Sequence, residues 1–177
     1  MRILAICGSL QEKSSNLTLL RVAIASAPAG VEIQLYEGLR QLPHFNPDLA
    51  SDEPQNGPSA VAELRRAVAS ADALLIATPE YGHSLPGSLK NAVDWLIGTG
   101  ELESKLVAIT SAVPAPERGR LGLAALRTTL GAVSARIAFQ EPIARGPEFE
   151  RQVEAMLGSL VAADLAAEGC DAERGGA

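Results

Sequence analysis

The run "ALLIA" (Ala73–Ala77) is followed at once by "TPEYGHSLPG" and then by the amphipathic "SLKNAVDWLIG". An apolar run without alternation, ending in a Pro/Gly-rich turn that gives way to a helical period, reads as buried strand, loop, helix. A strand covered on both faces needs helices above and below it, which calls for an α/β fold with a parallel sheet.

The rest of the chain repeats that unit. Arg2 to Cys7 is a continuous apolar strand, followed by a polar Gly/Ser loop and a helix in which Leu17, Leu20, Ile24 and Ala27 share a face. "VEIQLYE" (Val31–Glu37) alternates as a strand, and "GLRQLPHFNPDLASDEPQNGP" is a long connection too rich in Pro, Asn and Asp for regular structure. Ser59 is expected to cap a helix that runs through Ser70. The helix after Pro86 carries Leu89, Ala92, Val93 and Leu96 on its apolar stripe. "KLVAIT" (Lys105–Thr110) is the fourth strand, Leu121–Leu130 a helix with Leu123, Leu126 and Leu130 in register, "SARIAFQ" a weaker fifth strand, and Glu148–Glu168 a terminal helix. In such a fold, loops that leave the carboxyl ends of strands share one edge of the sheet, where ligands bind. The loops at Gly8, Pro79 and Ser111 all belong there.

At 177 residues the chain is read as one domain over 1–168 with a flexible tail at 169–177, without repeat or linker. The net charge of -6 and a pI near 5.0 argue against a nucleic-acid binder. Two cysteines, Cys7 in a strand and Cys170 in the tail, do not make a secreted disulfide framework, and a reducing cytoplasm fits them. "MRILAIC" is too short for a signal peptide, and no run approaches the ~20 apolar residues of a membrane helix. His44 and His83 stand apart from any Cys or carboxylate at ligand spacing, so no metal site is expected.

Two loops carry chemistry. "CGSLQEKSSN" places Ser9, Ser14, Ser15 and the amide of Asn16 ahead of a helix whose N-terminal N–H groups favour an anion. It lacks the spacing of a dinucleotide fingerprint or a P-loop, so a phosphomonoester suits it better. The alternative is that Ser15 is only an N-cap. In "TPEYGHSLPG", prolines stiffen the chain, Gly82 permits close approach of a ligand, and Tyr81 and His83 offer flat faces for a planar heterocycle. The alternative there is a tight connection whose polar residues are incidental.

Together "GSLQEKSSNLTLL", "PHFNPDL", "ADALLIATPEYGHSLPGSLKNAVDW" and "KLVAITSAVPAPERGRLGLAALRTTLG" resemble the NADPH-dependent FMN reductase family of quinone, azo-dye and chromate reductases, from Arg2 to about Phe139. The resemblance implies a flavodoxin-like three-layer sandwich, with a five-stranded parallel sheet of order 2-1-3-4-5 and helices on both faces. It implies FMN as cofactor and NADPH or NADH as electron donor. Ser9, Gln11, Ser15 and Asn16 would stand at the flavin phosphate, Pro79, Glu80, Tyr81, Gly82 and His83 beside the isoalloxazine, and Ser111 would close the site. Three departures stand out: Gln11 and Gly82 where the family usually has Arg and Asn, and "SAVPAPERG" in place of a Gly-rich loop.

The implied reaction passes hydride from a nicotinamide through the flavin to a small-molecule electron acceptor such as a quinone, azo compound, metal oxyanion or free flavin, with no side chain assigned as catalytic. A non-enzymatic FMN-binding electron carrier or redox sensor is the alternative. No nucleic-acid or membrane partner is expected, and a homodimer or homotetramer is. At ~100° per helical residue, Trp95 projects roughly 120° from the stripe of Leu89, Ala92, Val93 and Leu96, so it is expected to be solvent-exposed and to mark the subunit contact. The competing possibility is that the connection between Gly38 and Pro58 folds over it.

Overall fold

The computed structural model describes residues 1–50 and 58–174. Positions 51–57 of the long connection and the last three positions of the expected tail lie outside the described residues. The elements run β1 (Arg2–Cys7), α1 (Ser15–Ala25), β2 (Glu32–Tyr36), α2 (Ser59–Ser70), β3 (Ala73–Ala77), α3 (Gly87–Asp94), β4 (Leu106–Val113), α4 (Arg120–Gly131), β5 (Arg136–Ala144) and α5 (Phe149–Arg174). All strand pairs are parallel and the sheet order is β2-β1-β3-β4-β5, the expected flavodoxin-like arrangement.

Why β3 lies at the centre follows from its burial. All five of its residues are buried, as a parallel strand covered on both faces requires. The edge strands differ: β2 alternates and β5 is mostly half-buried, with Pro142 in β5 where a missing N–H costs little. Register sorts the apolar side chains into two layers. Leu4, Leu74 and Val107 line up across β1, β3 and β4, as do Ile6, Ile76 and Ile109, and these pack under α2, α3 and α4. On the opposite face Ala5, Leu75 and Ala108 form a flatter row under α1 and α5, filled in by Leu19, Leu20, Met156 and Leu160. Each fully buried Leu or Ile contributes roughly 1.5–3 kcal/mol relative to exposure.

Several local expectations change. Ser59 is the first residue of α2 and Pro58 holds the cap position, as suits a proline at a helix start. The buried face of α1 is Asn16, Leu19, Leu20 and Ala23, whereas Leu17 and Ile24 lie at its margin. The long connection contains short 3-10 turns at Gly38–Gln41 and Pro47–Leu49. Both β4 and β5 run further than expected, because Ser111 to Val113 keep pairing with Pro142 to Ala144. The terminal helix continues past Glu168 to Arg174.

The expected exposure of Trp95 is overturned: the residue is 3% exposed. The connection after β2 covers it. The Trp95 indole Nε1–H and the Asn91 side-chain amide both donate to the Pro43 carbonyl, each at 2.9 Å, and the Phe45 amide donates to Asn91 Oδ1 at 2.7 Å. The Phe45 ring meets the indole edge-on, with centroids 5.1 Å apart at 82°. A helical wheel sees only the helix and its sheet, and the chain that caps Trp95 arrives from fifty residues away. Trp95 therefore anchors that connection, and the argument that placed it at a subunit contact falls.

Candidate functional site

Three loops and the start of α1 converge on the carboxyl edge of the sheet. β1 hands over to its loop at Gly8, which has no room for a side chain: a Cβ there would lie 2.5 Å from Thr78 Oγ1 and 3.1 Å from Leu89 Cδ2. The Gly8 amide donates to the Ala77 carbonyl at 2.8 Å, and the Ser88 hydroxyl donates to the Gly8 carbonyl at 3.3 Å. The loops after β1 and β3 are thus locked together at their roots.

In the first loop, the cap of α1 is Ser14, whose hydroxyl accepts the Asn16 amide at 3.2 Å. Ser15 is the first helical residue, so the N-cap alternative does not describe it. Ser9 Oγ accepts the Gln11 amide at 3.2 Å and shapes the loop. The Asn16 side chain is buried, and its Oδ1 accepts the Ala112 amide at 2.8 Å, tying α1 to β4. Gln11 is exposed on the β2 side, in a hollow of about 230 Å³ shared with Tyr36, Arg21 and Arg40. Ser15 faces the other way, in a hollow of about 550 Å³ lined also by Thr18 and Arg145, and the Arg145 guanidinium donates to Ser15 Oγ at 3.4 Å.

The loop after β3 is held by its own main chain. Tyr81 and Ser84 exchange two backbone hydrogen bonds at 3.0 Å around Gly82 and His83, which have φ of 56° and 63°. Two successive left-handed residues make this a type I′ turn. Glycine at position 82 therefore keeps the backbone state that an asparagine tolerates, and what differs is only the side chain. Beside the turn, Glu80 Oε2 accepts the Gly122 amide at 2.9 Å, and Oε1 lies 3.4 Å from His83 Nδ1. The Gly122 amide at the start of α4 holds the Glu80 carboxyl below the ordinary carboxylate value against the opposing effect of burial, with help from His83 and the Leu121 amide. Gly122 suits this close approach, since a Cβ there would lie 3.0 Å from Glu80 Cβ and 3.1 Å from Glu80 Cα, so Glu80 would have to shift to make room.

Pro79, Glu80 and Ser111 line one hollow of about 280 Å³, with Arg118 and Gly119 on its far side. Ser111 is buried within β4 rather than in the loop that follows. Tyr81 and His83 stand at the rim, the Tyr81 residue 55% and the His83 side chain 80% exposed. Of the residues singled out from sequence, then, Ser9 and Asn16 serve the loop's own framework, Gln11 points away toward β2, and Ser15, Pro79, Glu80, Tyr81, Gly82, His83 and Ser111 surround the edge. Arg118 and Arg145 were missed. The Arg-Gly pair before α4 was a signal for the first, but Arg145 follows a strand whose end was placed too early.

The donor set fits a phosphate attached to a flat ring. Among the described residues α1 has no acidic side chain in its first turn, and the amides of Ser15 and Leu17 have no acceptor there. Helix terminus, hydroxyl and guanidinium favour an anion together, against the Glu150 carboxyl that also lines this hollow, while the neighbouring hollow is walled by Pro79, Glu80 and β4.

Comparison with known proteins places the chain in a family. A family model described as NADPH-dependent FMN reductase matches residues 1–144. An NAD(P)H-dependent FMN reductase of Pseudomonas aeruginosa is 41% identical over 95 residues, which is 54% of this chain and 49% of that protein. A quinone reductase of Escherichia coli is 34% identical over 96 residues, 54% of this chain and 50% of that protein. The matched stretch thus spans about half the length of these relatives. A solved structure of FerB, a flavoenzyme NAD(P)H:(acceptor) oxidoreductase from Paracoccus denitrificans, superposes with a TM-score of 0.75 at 26% identity, covering 91% of this chain and 97% of that one. With the family model matched from the first strand to the end of the fifth, the chain belongs to the NADPH-dependent FMN reductase family.

Proposed function

We propose that the protein is an FMN-dependent NAD(P)H oxidoreductase that passes reducing equivalents to a small acceptor such as a quinone, azo compound, metal oxyanion or free flavin. The observation that carries this reading is the carboxyl-edge site itself: an anion-accepting helix start beside a walled hollow, in a chain of the reductase family. FMN, when bound, supplies the two-electron redox chemistry. The chain supplies position and charge. Ser15, the free amides at the start of α1 and Arg145 would hold the phosphate. Pro79, the Tyr81–Ser84 turn and Ser111 would border the ring, and the Gly82 and His83 N–H groups at the turn's tip would stabilise negative charge that develops there. Ser9, Asn16 and Glu80 hold these groups in place.

A homodimer or homotetramer remains part of the reading, now resting on exposed apolar side chains in the loops at the sheet's carboxyl edge and at the start of α4, where Leu10, Tyr81 and Leu121 are 41%, 55% and 54% exposed. Light scattering at micromolar concentration reporting a monomer would remove it. Cytoplasmic location is proposed from the free, buried Cys7 thiol. Among the described residues no helix is long and apolar enough to cross a membrane, and no cluster of metal-ligating side chains occurs.

The test is a fluorescence titration of the purified chain with FMN, followed by NADPH and NADH oxidation with 1,4-benzoquinone. FMN binding with catalytic turnover is expected. Binding without turnover would favour the non-enzymatic carrier, and failure to bind FMN at micromolar concentration would overturn both.

A further inference from the structure

We propose that His83 donates the proton that accompanies electron transfer to the acceptor, and that Glu80 is the positioning residue that orients its ring. The inference rests on the reductase reading above. Its geometric basis is a carboxylate with one oxygen fixed and the other turned to the ring: Oε2 accepts the Gly122 amide at 2.9 Å, and Oε1 lies 3.4 Å from His83 Nδ1. A carboxylate anchored in this way holds the proton of a neutral imidazole on Nδ1 and leaves Nε2 to exchange protons with whatever lies outside. The ring is 80% exposed at the rim of the hollow that Glu80 lines, so Nε2 is open both to an acceptor and to water.

The backbone adds a second indication. His83 carries a φ of 63°, a state that a residue with a Cβ seldom adopts, inside a turn that glycine or asparagine would satisfy more easily. Such outliers concentrate at functional sites. The hollow's other ionisable side chain, Arg118, cannot give up its proton. Glu80 is itself held ionised by the helix amide and cannot act as the acid at neutral pH. Among the described residues the ionisable side chain that faces the imidazole is Glu80.

Reduction of a quinone to a hydroquinone consumes a hydride equivalent and one proton. NAD(P)H is oxidised and supplies the electron pair with its hydrogen. The imidazolium Nε2–H supplies the proton: the new O–H bond forms as the N–H bond breaks, and solvent returns a proton to the ring.

Two measurements on the purified chain test this. Nitrogen-15 spectra of the imidazoles report the tautomer without any turnover, and because the chain has two histidines, His44→Gln assigns the signals. Neutral His83 is expected as the Nδ1–H tautomer, reverting toward Nε2–H in Glu80→Gln; an Nε2–H tautomer in the unmodified protein overturns the pair. In the second, FMN-loaded protein is assayed with 1,4-benzoquinone and with ferricyanide, which takes up one electron and no proton. In His83→Gln the ratio of quinone to ferricyanide turnover is expected to fall roughly tenfold, below the usual 10²–10⁴-fold for general acids because water reaches the site, and the solvent isotope effect should be larger with quinone. An unchanged ratio overturns the proposal. An unmodified protein that reduces neither acceptor would instead remove the reductase reading on which it stands.

Discussion

In the loop after β1, polar side chains hold the chain in place and the helix start faces outward; in the loop after β3, the main chain holds itself in a type I′ turn and the side chains face outward. Ser9, Ser14 and Asn16 are all engaged in shaping or anchoring the first loop. Tyr81 and His83 stand exposed at the tip of the second, where Glu80 is anchored to α4 and faces the His83 ring. Both loops are rich in polar residues as sequence, yet they offer opposite chemistry. One presents N–H groups and a dipole that suit a phosphate, and the other presents flat, ionisable side chains that suit a ring and a proton.

The sharpest way to break the comparison is at the point where the loops are joined. Gly8→Ala drives a Cβ to 2.5 Å from Thr78 Oγ1, and should destabilise the fold by about 3 kcal/mol in urea denaturation, at the upper end for overpacking. A loss below about 1 kcal/mol would mean that the two roots move independently. Next comes Asn16→Ala, which leaves the Ala112 amide without its acceptor at a partly buried site. About 2 kcal/mol of stability should be lost, together with weaker FMN binding. If affinity alone fell and stability held, Asn16 would be a ligand rather than a clasp.

Glu80→Gln tests the anchor of the second loop. Replacing the charge at the start of α4 should cost about 1 kcal/mol at pH 7. The sign with pH follows from the depressed carboxyl pKa: stabilisation by the ionised group is present above the ordinary value of 4.5 and is lost as pH falls through the lower folded-state value. Denaturation curves of the two proteins should therefore separate at neutral pH and converge on acidification. A gap that persists in acid would mean that shape, not charge, is what Glu80 contributes.

Arg145→Gln should act on binding alone. Removing an exposed guanidinium should leave stability unchanged and weaken FMN binding roughly fivefold, about 1 kcal/mol. An unchanged dissociation constant would return the phosphate's counter-charge to the helix start by itself. The smallest effect is expected for Gly82→Asn. Nothing lies within 4 Å of a Cβ at that position, and asparagine tolerates the left-handed state, so stability should stay within about 0.5 kcal/mol of the original. A larger loss would show that the turn needs glycine for reasons other than its φ of 56°.

Much of this was legible in the sequence, and for identifiable reasons. "ALLIA" lies central and buried because an uninterrupted apolar run can only be covered on both faces, and Leu123, Leu126 and Leu130 face the core because their spacing matches a helical turn. Local chemistry also placed the Gly/Ser loop and the Pro/Gly turn at the same sheet edge. The strands β4 and β5 outran their expected ends because each continues only where the other is present to pair with it.

Periodicity and turn chemistry are properties of neighbouring residues, so the chain's own order determined the alternation of strand and helix, the two-sided burial of β3 and the loops that reach the site. Which polar groups those loops keep free was decided only on folding. Asn16 is spent on Ala112, Glu80 on Gly122, and Trp95 on Pro43, across separations of 96, 42 and 52 residues. Arg145 likewise reaches Ser15 across 130 residues. A hydrogen bond has a length and a direction, and over such separations both are set by how helices and strands pack, which no local pattern of residue types encodes.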